Sequence, residues 1–286
     1  MVVNLESFAR LTRIEHALML CAAVLIGEFI VLGSFPSLLF AILTFIPPFF
    51  IEISAFAIND FFDVETDRKN GRMDRPLVSG EITTQEALAI SVGGFLVGVG
   101  AAWFINPTCF LISLIFGVLA FLYSYKLKDV ALVGNTYVAF TMAIPFIFGN
   151  MAVFTSLSPS VATLALIAFV TGLGREVMGT VRDIEGDQLR PGALTLPMLI
   201  GTRITLVYAS MLYVLAALMS LLPFLTISEY KNDLNYLIPA IICDAILIYI
   251  AARALSNSKE FLEQARKLSL LGMVFGLIAF FLGAYY

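Results

Sequence analysis

The sequence predicts an all-α, polytopic membrane protein: nine transmembrane helices around a central lipid-open chamber, with a cytoplasmic cap. Three observations predict it. Hydrophobic residues make up 60% of the 286 and charged ones only 13%, with a mean hydropathy of +0.94. Soluble domains average about 45–50% and about 25%. Nine segments approach the roughly 20 mainly apolar residues that a span needs, and Lys and Arg gather in alternate connections. The whole chain, 1–286, reads as one membrane-embedded domain with motif loops near 59–86 and 181–198.

The first element is "MVVNLESFARLTRIEH". It carries Glu6 and Glu15 and reads as a cytoplasmic interfacial helix rather than a cleaved signal peptide. Apolar segments follow near residues 17–34, 36–58, 87–105 and 108–123, then 130–148, 160–180 and 203–225, and last 236–254 and 268–286. Arg10 and Arg13 lie in the tail, and Arg68, Lys69, Arg72 and Arg75 follow the second segment. Lys126 and Lys128 follow the fourth; Arg175, Arg182, Arg190 and Arg203 surround the loop after the sixth. Arg253, Lys259, Arg266 and Lys267 surround the loop after the eighth. Of the 17 basic residues, only Lys231 falls on the opposite side. The positive-inside rule makes the crowded side cytoplasmic, with the N-terminus inside and the C-terminus outside.

The net charge of −4 argues for no particular partner and does not suggest nucleic acid; nothing points to a protein partner. Cys21, Cys109 and Cys243 lie far apart in apolar segments, without metal or disulfide spacing, and read as packing residues. "GGFLVGVG" has no lysine for a phosphate cradle, and its Gly94 and Gly98 read as helix packing.

Chemistry gathers in the two long cytoplasmic loops, "DRKNGRMDRPLVSGEITTQE" and "VRDIEGDQLRPGALTLP". In "AINDFFDVETDR", Asn59, Asp63 and Asp67 are four residues apart, which on a helix places them within an arc of about 80°. Asp60 lies about 100° round from Asn59. In "GREVMGTVRDIEGD", Glu176, Thr180, Asp183 and Asp187 form a polar stripe running out of the sixth segment. The interval from Asp63 to Asp183 equals that from Asp67 to Asp187, so both clusters end an even-numbered span on one membrane face. A solvated helix end accounts for one such cluster more readily than for two at matching depth. If they converge, like charges raise one another's pKa unless cations intervene. Mg²⁺ fits, since it takes one or two carboxylates plus phosphate oxygens, and Asn59 adds a neutral carbonyl. Acids for Mg²⁺, basic residues for phosphate and an apolar interior suit a prenyl diphosphate. Departing pyrophosphate would be stabilised by metal and cations, and an allylic cation by aromatic faces such as Tyr123, Tyr125 and Phe148.

These motifs resemble those of the UbiA-type intramembrane prenyltransferases. "NDFFDVETD" fits the family's first motif, N-x-x-x-D-x-x-x-D, and "DIEGD" its second, D-x-x-x-D. "RPLVSGEIT" and "TLPMLIG" resemble flanking stretches, so the likeness covers essentially the whole chain. It implies that Asn59, Asp63 and Asp67 hold one Mg²⁺ and that Asp183 and Asp187 hold the other. It also implies that Arg75 and Lys128 contact diphosphate, with Arg72 and Lys126 behind them. The family's Y-x-x-x-K places Leu127 at the lysine position relative to Tyr123, so Lys126 and Lys128 both stand as candidates. Arg13 resembles the family's arginine at the start of the first span, and His16 stands where many relatives have Asn. Arg13, His16, Glu52, Asp60, Tyr123 and Tyr125 are further candidate substrate contacts.

Within the superfamily the short chain and "GREVMGTVRDIEGD" look most like the archaeal branch that joins a geranylgeranyl group to geranylgeranylglyceryl phosphate. That resemblance implies a lipid-like acceptor; an aromatic acceptor such as 4-hydroxybenzoate is the alternative. Arg190, Arg182 and Arg68 are cations for an acceptor phosphate or simply topology signals. Charge inside a span is costly, and function is the default suspicion. Glu52 shares a helical face with Phe56, Asn59 and Asp63, whereas Glu28 and Asp244 read as packing or helix–helix hydrogen bonding. The rival class is a cation transporter, with Pro47, Pro48 and Pro145 as candidate helix breaks, although transport sites tend to lie at the midplane.

Overall fold

The computed structural model describes residues 4–69, 71–256 and 258–285. Met1–Val3 of the expected interfacial segment and Tyr286, where the ninth apolar segment ends, lie outside them. The helices are α1 (Leu5–Thr12), α2 (Ile14–Leu32), α3 (Leu38–Lys69), α4 (Pro76–Ser79), α5 (Thr84–Trp103), α6 (Pro107–Tyr125) and α7 (Val133–Val153). There follow α8 (Pro159–Arg182), α9 (Ile184–Asp187), α10 (Leu196–Ile200), α11 (Thr202–Met219), α12 (Leu221–Thr226), α13 (Leu234–Ala254) and α14 (Lys259–Tyr285). Among the described residues nine stretches are long and apolar enough to cross a membrane: α2, α3, α5, α6, α7, α8, α11 with α12, α13 and α14. No strand forms among them, only an isolated bridge between Val130 and Leu194.

Several boundaries differ from the apolar pattern, each for a visible reason. α3 continues past the expected membrane edge to Lys69, carrying the whole first motif on one helix. It runs through Pro47 and Pro48, and α7 runs through Pro145, so none of these prolines makes the break a transport site would use. α7 starts at Val133 because Leu132 adopts a left-handed backbone (φ 63°) after the Val130 bridge. α14 begins at Lys259, its charged first turns extending the apolar helix outward.

The chain divides into two compact units. The first comprises Met1–Leu25 and Pro36–Lys128. Here α5 lies along α3, and α6 packs against both. Thr83 starts α5 with a capping box, its side chain accepting from Glu86 N while Glu86 accepts from Thr83 N. Asn106 caps α6 by accepting from Cys109 N at 2.8 Å. Close approach of α3 and α5 depends on Gly94 and Gly98, as read from sequence: an added Cβ would sit 2.8 Å from Phe50 O or from Ile51 Cγ1. Ser91 Oγ donates to Ser54 O at 3.0 Å across the same seam, the small-residue packing that membranes favour. Gly94→Ala should therefore lower the thermal unfolding midpoint in detergent, at an overpacking cost of about 1–3 kcal/mol. Gly93→Ala, whose Cβ meets nothing within 4 Å, should leave it unchanged.

The second unit comprises Ile26–Phe35 and Asp129–Tyr286. Its core is built around α8, with Val170, Val177, Leu206, Tyr213, Leu247 and Ile250 buried together. Gly27 lets α2 meet α7 there, since a Cβ would collide with Phe146 O. Asp244, within α13, accepts from Ser220 Oγ at 2.5 Å, and Tyr236 donates to Ser220 O at 2.6 Å. Its cost inside a span is offset by the helix–helix hydrogen bond expected of it.

Candidate active site

The first unit sets its motif acids at the end of α3. Asp60, facing the core, is only 1% exposed and receives two guanidinium groups. Arg13 Nη2 donates at 3.1 Å, and Arg75 Nη1 lies 2.9 Å from Oδ1 and 3.2 Å from Oδ2. Arg75 also reaches toward Asp67, with Nε 3.8 Å from Oδ2. Lys128 donates to Asp63 Oδ1 at 2.5 Å. The acids that repel one another in sequence are thus compensated by three cations from distant points of the same unit. Asn59 shares the helix face with Asp63 and Asp67, as expected.

Arg13 owes its reach to a backbone break. It sits between α1 and α2 at φ 47°, a conformation uncommon for a non-glycine residue. Its guanidinium lies 4.3 Å from the Phe56 ring centre, and His16 meets the same ring edge-on at 5.5 Å. Glu52, one turn before Phe56 on α3, is half-buried. Arg72 forks onto Asp74, with two contacts of 3.0 Å. Tyr123 is half-buried, Lys126 exposed, and Tyr125 packs on Phe62 at 5.8 Å.

In the second unit the polar stripe does not continue as one helix. α8 ends at Arg182 and Asp183 is its C-cap, while α9 holds Asp187, whose amide donates to Asp183 O at 2.9 Å. Arg182 forks onto Asp183 at 2.7 and 2.5 Å. Arg190 Nη2 donates to Asp187 at 2.6 Å, and its Nε lies 3.4 Å from Asp129 Oδ1. Glu176 is engaged by Arg175 at 2.8 Å, and the Thr180 hydroxyl turns back to Val177 O. Sequence reasoning misses Asp129, although an acid directly after two lysines in "KLKD" is an available signal. Arg190 is legible there only as a cation, not as the partner of both acids.

Among the described residues, no three His, Cys, Asp or Glu side chains form a cluster that could itself hold a metal ion. Mg²⁺ asks for less, one or two carboxylates with phosphate oxygens and water, and each motif offers such a pair. The donor set fits a magnesium ion that comes with a phosphate.

A family model described as the UbiA prenyltransferase family matches residues 18–271. The chain belongs to the UbiA prenyltransferase family. It is 39% identical over 282 residues to the digeranylgeranylglyceryl phosphate synthase of Archaeoglobus fulgidus, covering 98% of this chain and 96% of that one. A solved structure of a digeranylgeranylglyceryl phosphate synthase in membranes superposes with a TM-score of 0.77 at 31% identity, covering 98% of both chains. A UbiA homolog from Archaeoglobus fulgidus, solved with GPP and Mg²⁺, shares the fold at a TM-score of 0.64 and 20% identity, covering 96% of this chain and 99% of that one. Like its UbiA relatives, this is a multi-pass membrane prenyltransferase of all-α fold.

α1 is tied to the first motif loop of this UbiA chain through Glu81, which accepts from Ser7, Ser79 and Arg10. The Ser7 and Ser79 hydrogen bonds, then the Arg10 charge, hold the Glu81 carboxyl below its ordinary range. A depressed carboxyl stabilises the fold above its unfolded pKa and stops doing so as pH falls through the folded value. A nitroxide at Leu5, which is well exposed, should give a broader spectrum at pH 7 than below the carboxylate range. In Glu81→Gln this dependence on pH should be lost.

Proposed function

We propose that this chain transfers a geranylgeranyl group from geranylgeranyl diphosphate to the free hydroxyl of geranylgeranylglyceryl phosphate, forming the second ether of an archaeal lipid. The observation that carries the reading is the pairing of motif carboxylates with phosphate-seeking cations: Asp63 with Lys128, Asp67 with Arg75 and Asp187 with Arg190. Likeness to the Archaeoglobus fulgidus synthase over nearly the full chain supplies the acceptor. Asn59, Asp63 and Asp67 would hold one Mg²⁺ and Asp183 and Asp187 another; such an ion, when bound, supplies positive charge to a leaving pyrophosphate.

Lys128 then turns from Asp63, and Arg75 from Asp67 while it keeps Asp60, to phosphate oxygens, with Lys126 and Arg72 adding charge nearby. The bond between the first prenyl carbon and the diphosphate oxygen breaks, and its electron pair leaves with pyrophosphate. The acceptor hydroxyl oxygen forms the new bond to that carbon, and its proton passes to the departing pyrophosphate. These cations act where negative charge grows, so they favour the transition state over the bound substrate. Arg13, His16 and Glu52 gather around Phe56 and would border the substrate, with Tyr123 and Tyr125 toward the end of α6. The Lys and Arg distribution supports a reading with the N-terminus and both motifs on the cytoplasmic face and the C-terminus outside.

Purified protein offered geranylgeranyl diphosphate with Mg²⁺ should form ether product with geranylgeranylglyceryl phosphate and none with 4-hydroxybenzoate. Removal of Mg²⁺ should stop the reaction. Prenylated benzoate would overturn the acceptor, and the absence of product with both acceptors would overturn the activity.

A further inference from the structure

In each unit an arginine bridges two carboxylates, one in the D-x-x-x-D register and one outside it. Arg75 lies at 2.9 and 3.2 Å from Asp60 and at 3.8 Å from Asp67. Arg190 lies at 2.6 Å from Asp187 and at 3.4 Å from Asp129. The outside acid is well buried in both cases, and both are fastened independently of the motif acid. Asp60 is also held by Arg13. Asp129 O accepts from Leu194 N at 2.8 Å, and the adjoining Val130–Leu194 bridge ties down the loop that carries Arg190.

We propose that Asp60 and Asp129 are positioning residues: each keeps its arginine paired when Asp67 or Asp187 turns to a divalent cation bound to diphosphate. A guanidinium beside a motif carboxylate competes with a divalent cation for the same oxygens and repels it. A half-buried arginine cannot cheaply give up its only partner. A second acid already in place lets the arginine stay paired while the motif acid exchanges, so metal binding does not strand a charge. The device occurs twice, once in each unit. The inference rests on the reading of Asp67 and Asp187 as Mg²⁺ ligands.

The test uses Mn²⁺ with inorganic pyrophosphate, following free Mn²⁺ by electron paramagnetic resonance on the detergent-solubilised full chain. In Asp129→Asn, Arg190 is left wholly on Asp187, and half-saturating Mn²⁺ should rise about tenfold, a size ordinary for coupled sites. In an Arg190→Gln background the same substitution should shift it less than about twofold, because the competing guanidinium is gone. Glu185→Gln, an exposed acid of the same loop paired with Lys259, should shift nothing. An equal rise in both backgrounds would mean a long-range charge effect and overturn the proposal, as would no rise with lowered stability alone. If Asp129→Asn fails to fold, Asp60→Asn with Arg75→Gln is read the same way. Undiminished Mn²⁺ binding in Asp187→Asn and Asp67→Asn would sink the ligand reading itself, a separate failure.

Discussion

Asp63→Asn and Asp187→Asn should each lower kcat by about 10²–10³-fold, the loss typical when a group that stabilises developing charge is removed, while the protein still elutes folded. The amide keeps the shape and an acceptor oxygen but loses the charge that holds metal. Lys128, with its side chain 8% exposed, keeps a hydrogen-bond acceptor in the amide that replaces the Asp63 carboxylate, and Arg190 keeps Asp129. Glu65→Gln removes a neighbouring but 72% exposed carboxylate and should change kcat less than about twofold, since an exposed pair contributes little. Steady-state kinetics with saturating donor and Mg²⁺ checks all three. Near-normal turnover in both aspartate variants would remove the motif acids from the chemistry.

The largest stability effect is expected at Asp60. Replacing it with Ala leaves the Arg13 and Arg75 guanidinium groups facing one another without a shared anion. Breaking a buried pair from one side costs about 3–5 kcal/mol. The lower end applies, near 3 kcal/mol, because the two arginine side chains keep 23% and 20% of their surface exposed. Unfolding in mixed micelles should show this loss. Asp74→Ala, which removes only the exposed partner of Arg72, should cost less than about 1 kcal/mol. Comparable losses at both positions would mean that Asp60 is no anchor.

The sequence reveals the spans because each needs a long apolar run, and every expected one has a helix. Helix ends are less legible, because charged turns at residues 63–69 and 259–266 are good helix but poor membrane, and hydropathy sees only the second property. Leu132 shows the converse: an apolar residue whose left-handed backbone stops a helix that composition would continue. The i, i+4 spacing correctly sets Asn59, Asp63 and Asp67 on one face of α3, yet the same rule fails at Asp183, where α8 ends. Helical geometry alone turns Asp60 away from Asn59; that this direction is the core, with two arginines in place, depends on α1 and the loop before α4. Arg190 and Asp129 illustrate the same difficulty, since a loop-to-loop pair leaves no periodic trace in either segment.

We propose that each aspartate set holds a divalent cation when a prenyl diphosphate is bound. The most direct measurement is anomalous diffraction from crystals grown with Mn²⁺ and a non-reactive geranylgeranyl thiodiphosphate. Manganese is expected beside Asp63 and Asp67 and again beside Asp183 and Asp187. Diphosphate bound with manganese at neither set would contradict it.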